Sequence, residues 1–111
     1  MNRLLLGVSS LLILGACADT QGVADALARQ SAKTTVSTAL STRFPNVPAA
    51  LVTPFTDCII DNASSSEIIT LAASAVAGLN EEAVEITGQV LSRPQTQTCV
   101  ANASVGALVN L

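Results

Sequence analysis

The residues able to do chemistry are few. The 111-residue chain has three cysteines, Cys17, Cys58 and Cys99, and no His, Trp or Tyr. Without imidazole, none of its many Ser and Thr hydroxyls has the usual base beside it, and no Ser-x-x-Lys occurs to replace one. Histidine-ligated metals and haem are excluded on the same ground. Asp57 and Asp61 stand four apart, so on a helix they share a face. Paired carboxylates can move protons or hold Ca²⁺. No third or fourth oxygen ligand follows at loop spacing, and a solvated acidic face is the expectation. Glu81, Glu82 and Glu85 fit the start of a helix, where the dipole favours acids. Asn62-Ala63-Ser64 and Asn102-Ala103-Ser104 match the glycosylation sequon. The extended bacterial form also wants an acid two residues before the Asn; Ile60 and Val100 stand there, and glycosylation is set aside. No catalytic residue, cofactor-binding residue or metal ligand is expected, and the chain reads as a non-enzyme.

Cys17 has the most specific surroundings. Arg3 supplies a short basic n-region, and residues 4–16 (LLLGVSSLLILGA) form an apolar h-region. That run is shorter than the roughly 20 residues a membrane-spanning helix needs. It ends in Leu14-Gly15-Ala16-Cys17, which resembles the lipobox of bacterial lipoproteins. Small side chains before the Cys let the backbone enter a signal-peptidase site, and the free thiol accepts a diacylglyceryl group. The resemblance implies that residues 1–16 are a lipoprotein signal peptide. It further implies that Cys17 carries lipid, with acyl chains such as palmitate, and becomes the first residue of the mature chain. One acyl chain holds a protein marginally, whereas two or three anchor it stably. A plain secretory peptide cut near Ala16 or Ala18 is the alternative. In the enterobacterial sorting rule, Asp after the Cys retains a lipoprotein in the inner membrane. Ala18 stands there, which points to the outer membrane, facing the periplasm.

The other two cysteines form an even pair in an exported small domain, which reads as a disulfide. Only Cys58–Cys99 can form, closing a long loop worth about 4 kcal/mol in the chain-entropy model. Redox-active pairs usually stand two residues apart beside a helix start; these do not, so the bridge is expected to be structural.

These residues need positioning elements, and the periodicity is helical. Residues 18–22 (ADTQG) read as a polar tether. Val23 to Arg43 reads as a helix, with Ala32, Val36, Leu40 and Phe44 spaced by four and an Asp25–Arg29 pair. Its Ser/Thr run from Thr34 to Thr42 lowers helix propensity, and a flexible stem is the competing reading. Thr53-Pro54 suggests a cap and first helical residue for a short helix to Asn62. Ser64 and Glu67 fit a capping box for a helix to Ala77, with Ile68, Leu71, Ala72, Ala75 and Val76 inward. Gly78 suits its left-handed end. Asn80 caps the next helix, whose inner face is Ala83, Ile86 and Val90, with Leu79 before it and Arg93 near its C-terminus. Gly88 is a weak point or a place of close helix approach. Pro94 opens a last short helix containing Cys99.

The expected fold is all-α, a small bundle of four to five short helices with one disulfide. Its divisions are the signal peptide 1–16, the lipidated N-terminus and tether 17–22, a helical domain 23–104 and an apolar tail 105–111. The stretch RFPNVPAALVTPFTDCIIDNASSSEIITLA, with SRPQTQTCVA later, resembles small uncharacterised lipoproteins of alphaproteobacteria. That resemblance implies a fold and no mechanism.

Two aromatics, Phe44 and Phe55, and a net charge of -3 exclude the basic, aromatic face that nucleic acids require. The charge is uneven. Residues 19–43 carry two acids and three bases, whereas residues 44–111 carry six acids and one Arg. The expected partners are the membrane, through lipid on Cys17, and an unidentified envelope protein. The leading function is a structural or protein-interaction accessory of the cell envelope; the alternative is a carrier of a small apolar ligand or lipid. Leu, Ile and Val without aromatics make a poor specific pocket, which ranks the carrier second.

Overall fold

The structure, a computed structural model, describes residues 13–109, with side-chain surroundings for residues 24–106. Residues 1–12 of the expected signal peptide and the last two residues of the apolar tail lie outside the described residues. Five helices follow one another: α1 (Ile13–Arg43), α2 (Val52–Asn62), α3 (Ser65–Ala77), α4 (Glu81–Leu91) and α5 (Pro94–Val109), with a single 3-10 turn at Ala49–Leu51 before α2. No strand occurs among the described residues. The fold is all-α, with Cys58 and Cys99 bonded between α2 and α5.

The organising surface is the inner stripe of α1. Ala32, Val36, Ala39 and Leu40 are fully buried, three or four residues apart as a helix face requires. Ile59 and Ile60 of α2, Ile68 and Leu71 of α3, and Ala83 and Val90 of α4 close over that stripe. Helix α2 runs back along α1, since Arg29 meets Asp61 and Lys33 meets Asp57. Helix α3 then runs in the same direction as α1. Ala28 shares a groove with Ile68, Thr35 bonds Leu71, and Thr38 shares a groove with Leu79. Helix α4 reverses again, with Glu81 at its start beside Arg43, while Arg93 beyond its end reaches Asn62.

The Ser/Thr run does not break α1, because most of its hydroxyls find a backbone acceptor, four of them within the helix. Thr34, Thr38, Ser41 and Thr42 donate to the carbonyl four residues back. Buried Thr35 instead donates across to the Leu71 carbonyl at 2.7 Å, tying α1 to α3. Thr56, Ser74 and Thr87 are buried with their hydroxyls bonded to their own helices. Thr96 is the exception, fully buried with an unpartnered hydroxyl.

Several elements differ from the sequence reading. The helix expected from Val23 is already formed at Ile13, the first described residue, and passes through residues 18–22, so the polar tether is helical in its backbone. Thr53 is not a cap. The 3-10 turn leads directly into α2, and Pro54 falls in the first helical turn, where its missing N–H is not needed. Helix α5 continues through residues 105–109, which had been assigned to the tail. On α3, Ala75 and Val76 are exposed and Ser74 is buried in their place. Ile68, Leu71 and Ser74 repeat every three residues along one buried face, the Ser74 hydroxyl being satisfied on the Thr70 carbonyl, and Val76, two residues on, falls on the opposite side of the helix. On α4, Thr87 is fully buried and Ile86 only half-buried. Gly78 has φ +101° with an extended ψ, so it ends α3 from the glycine-favoured half of the map but not in the left-handed helical well.

Gly88 is not a packing requirement. A Cβ added there would meet the Phe44 ring at 3.5 Å, an ordinary contact. Gly88→Ala should therefore stabilise the bundle by about 0.5–1 kcal/mol through helix propensity, read as a higher Tm in a circular-dichroism melt. The bridge has the larger effect. Cys58→Ala with Cys99→Ala should lose about 2–5 kcal/mol. Melts of oxidised and reduced protein check this, and equal melting temperatures would refute a structural role.

Candidate functional site

Three groups of residues were singled out by sequence: Cys17, the Cys58/Cys99 pair, and the acidic pair Asp57/Asp61. Cys17 lies near the beginning of α1, and only its backbone is among the described features. From there α1 continues to Ala28, the first residue packed against the core among those whose side-chain surroundings are described. Residues 24–27 in between are exposed. The other two cysteines are brought together, with Cα atoms 5.7 Å apart, Cys58 buried and Cys99 half-buried.

Asp57 and Asp61 do share a face of α2, but they are partnered. Asp61 accepts from Arg29 at 3.0 Å, and Asp57 faces Lys33 at 3.2 Å. Four side chains thus form two rungs between antiparallel helices. Arg29 serves Asp61 and not Asp25, its expected partner one turn away. All four are well exposed, so the rungs contribute little energy each and chiefly favour one helix register. Each carboxylate is matched to a cation across the helix pair.

The strongest polar constellation was not assembled from sequence. Glu67 closes the expected capping box with Ser64: its backbone N–H bonds the Ser64 hydroxyl, and its Oε1 accepts from the Ser64 backbone at 2.8 Å. Its two carboxylate oxygens also take both arms of the Arg93 guanidinium, at 2.9 and 2.7 Å. Arg93 Nη1 donates as well to the Asn62 carbonyl at 2.9 Å. Arg93 was expected as a partner of the α4 dipole; it reaches instead from the α4–α5 corner to the start of α3. The Arg93 fork, opposed by burial and helped by Ser64, lowers the Glu67 pKa from 4.5 to about 2. A carboxylate held ionised and surrounded by donors is a fastener, not a general base. One signal pointed to it: Arg93 is the single basic residue after Arg43, among six acids.

The surface grooves mix polar and apolar lining. One, with a volume of about 320 Å³, runs between α1 and α2 past Lys33, Thr34, Ser37, Thr38, Thr53, Thr56 and Asp57; another, of about 310 Å³, is lined by Ser41, Val47, Ala49, Val52 and Thr53. Among the described residues, no group of three or more His, Cys, Asp or Glu gathers to hold a metal ion. No family model, curated protein or solved structure matches the chain.

The Glu67 fastener makes a pH prediction. A carboxylate whose folded pKa lies below its ordinary value contributes fully above about pH 4.5 and progressively less as pH falls toward 2. Unfolding free energy should therefore decline across that window. Glu67→Gln should lower stability at pH 7 by about 1.5–3 kcal/mol and flatten the acid limb. Denaturant titrations at pH 7, 4 and 2.5 compare the two chains.

Proposed function

We propose that this chain is a lipid-anchored, non-enzymatic module of the bacterial cell envelope, facing the periplasm from the outer membrane and acting by protein contact. The observation that carries the reading is Leu14-Gly15-Ala16-Cys17, placed where an apolar h-region ends. The bonded Cys58–Cys99 pair supports an oxidising compartment. No described helix is long and apolar enough to cross a membrane, and in this reading the acyl chains on Cys17 supply the attachment.

The structure gives the anchor a mechanical context. From Cys17 to Ala28 the backbone is continuous helix, a rise of about 16 Å at 1.5 Å per residue. A lipid on Cys17 would therefore lift the bundle off the bilayer on a helical stem. The more basic share of the chain, residues 19–43, lies in α1 nearest the anchor, and the acidic share lies beyond it, an order suited to an anionic surface. The hydroxyl and charged lining of the groove between α1 and α2 suits an apolar ligand poorly at that place.

Metabolic labelling with an alkyne fatty acid tests the anchor. The chain should take up the label and fractionate with membranes, and Cys17→Ser should abolish the label. A Cys17→Ser chain that keeps label and membrane fraction would overturn the proposal. An unlabelled chain found free in the periplasm would favour the plain secretory peptide.

A further inference from the structure

Helix α5 is attached differently from the other four. The apolar core is drawn from α1, α2, α3 and α4, with α1 packed against each of the other three. Among the described residues, none from 94 to 106 belongs to that core or packs against it as a half-buried hydrophobe. Helix α5 lies along α2 and meets the 3-10 turn and α4. It runs antiparallel to α2: Arg93, just before it, is held at Asn62, and Cys99 is bonded to Cys58 farther back along α2.

Its inner face is small and polar. Thr96 is fully buried, and Cys99, Val100, Ala103 and Ser104 are half-buried, three or four residues apart. Of these, Val100 alone offers a branched apolar side chain. Residues 94–109 contain no charge, so no ion pair can hold them. Gln97 donates to the Leu91 carbonyl, which ties the corner, and among the described residues no hydrogen bond crosses from α5 to α2. Thr96 works against docking. Its buried hydroxyl has lost its bonds to water without replacing them.

The sulfur–sulfur bond is therefore the strong link from α5 to the bundle. We propose that α5 is a redox-operated latch: the closed Cys58–Cys99 bridge keeps it on α2, and reduction releases α5 alone while α1–α4 stay folded. The corner before α5 stays put, because Glu67 and the Asn62 carbonyl hold Arg93. Freed α5 loses its helix, since Thr96, Thr98, Val100, Asn102, Ser104 and Gly106 are weak helix formers and isolated helices of this length are marginal in water. The reductant is a dithiol. One of its thiolates attacks the Cys99 sulfur, the more accessible of the two, and Cys58 leaves as a thiolate. The second thiol then displaces Cys99. The reductant leaves as a disulfide, and its two electrons and two protons end on Cys58 and Cys99. An oxidising compartment keeps the latch shut. The latch depends on the bridge and not on lipid at Cys17.

Hydrogen exchange read by mass spectrometry tests this on the full chain, oxidised and after dithiothreitol. In the reduced chain, residues 96–106 should exchange as an unstructured peptide does. The segments around Ile59, Leu71 and Val90 should stay protected by a factor of about 100 or more. Helical circular dichroism should fall only by the share of the 16 residues of α5. Losing the crosslink also lowers the melting point of what remains, because the loop it closes contains α3 and α4. Protection lost in every helix at once would mean that the bridge holds the whole fold, and would overturn the proposal. Protection kept in residues 96–106 would mean that α5 docks unaided, and would overturn it equally. Thr96→Val gives an independent reading. It removes the orphaned hydroxyl at nearly constant shape, so α5 docks better and the two thiols meet more often. In a glutathione redox buffer the bridge should shift toward its oxidised form about fivefold. An unchanged equilibrium would show α5 docked with or without the bridge, against the latch.

Discussion

One carboxylate joins three corners of this bundle. Glu67 caps its own helix through Ser64, and it holds Arg93, which in turn holds the last carbonyl of α2 at Asn62. The end of α2, the start of α3 and the passage from α4 to α5 therefore meet at one charged knot. Opposite charges in a forked, two-bond geometry are stronger and more directional than single contacts. Glu67 is only 15% exposed, so water screens the knot less than it screens the rungs between α1 and α2. Protonating Glu67 would loosen all three corners together.

The rest of the bundle is economical in side-chain volume. Its core uses Ala32, Ala39 and Ala83 beside Leu and Ile, and the two Phe residues are only half-buried. Alanines let helices approach but remove little area from water each. Polar atoms are admitted to the interior when they bond nearby, as Thr35, Thr56, Ser74 and Thr87 do. Helix α5 is joined to α2 covalently, and Thr96, with its unpaired hydroxyl, lies one turn from that link. A modest apolar core and a covalent staple are complementary answers to the same shortage in a small domain.

What was legible in the sequence was local. The Ser64–Glu67 box, the Asn80 cap and the Ala32/Val36/Leu40 stripe depend on residues within a turn or two of one another, and each appears as read. The Cys58–Cys99 pair was legible by elimination. Features set by how helices meet were not. Arg29 chose Asp61, 32 residues away, over Asp25 on its own helix; Arg93 crossed to Glu67. Val76 has the apolar character of a core residue but stands across the helix from the buried Ile68, Leu71 and Ser74. The helix in residues 105–109 had no amphipathic pattern to announce it. The lipobox resemblance at Cys17 belongs to a different category: a motif of that kind is linear, so reading it needs no fold.

The continuity of α1 ties azimuth to residue count. A flexible tether would let the body spin freely about its attachment point. A helix advances by 100° per residue, so the number of residues between Cys17 and Ala28 sets which side of the bundle looks in which direction. Deleting one residue there would turn the whole body by more than a quarter of a revolution while shifting its height by only about 1.5 Å. Deleting seven would lower it by two turns of helix and restore nearly the same bearing. If Cys17 carries the proposed anchor, the length of α1 between Cys17 and Ala28 sets height and bearing together, in steps of a helical turn.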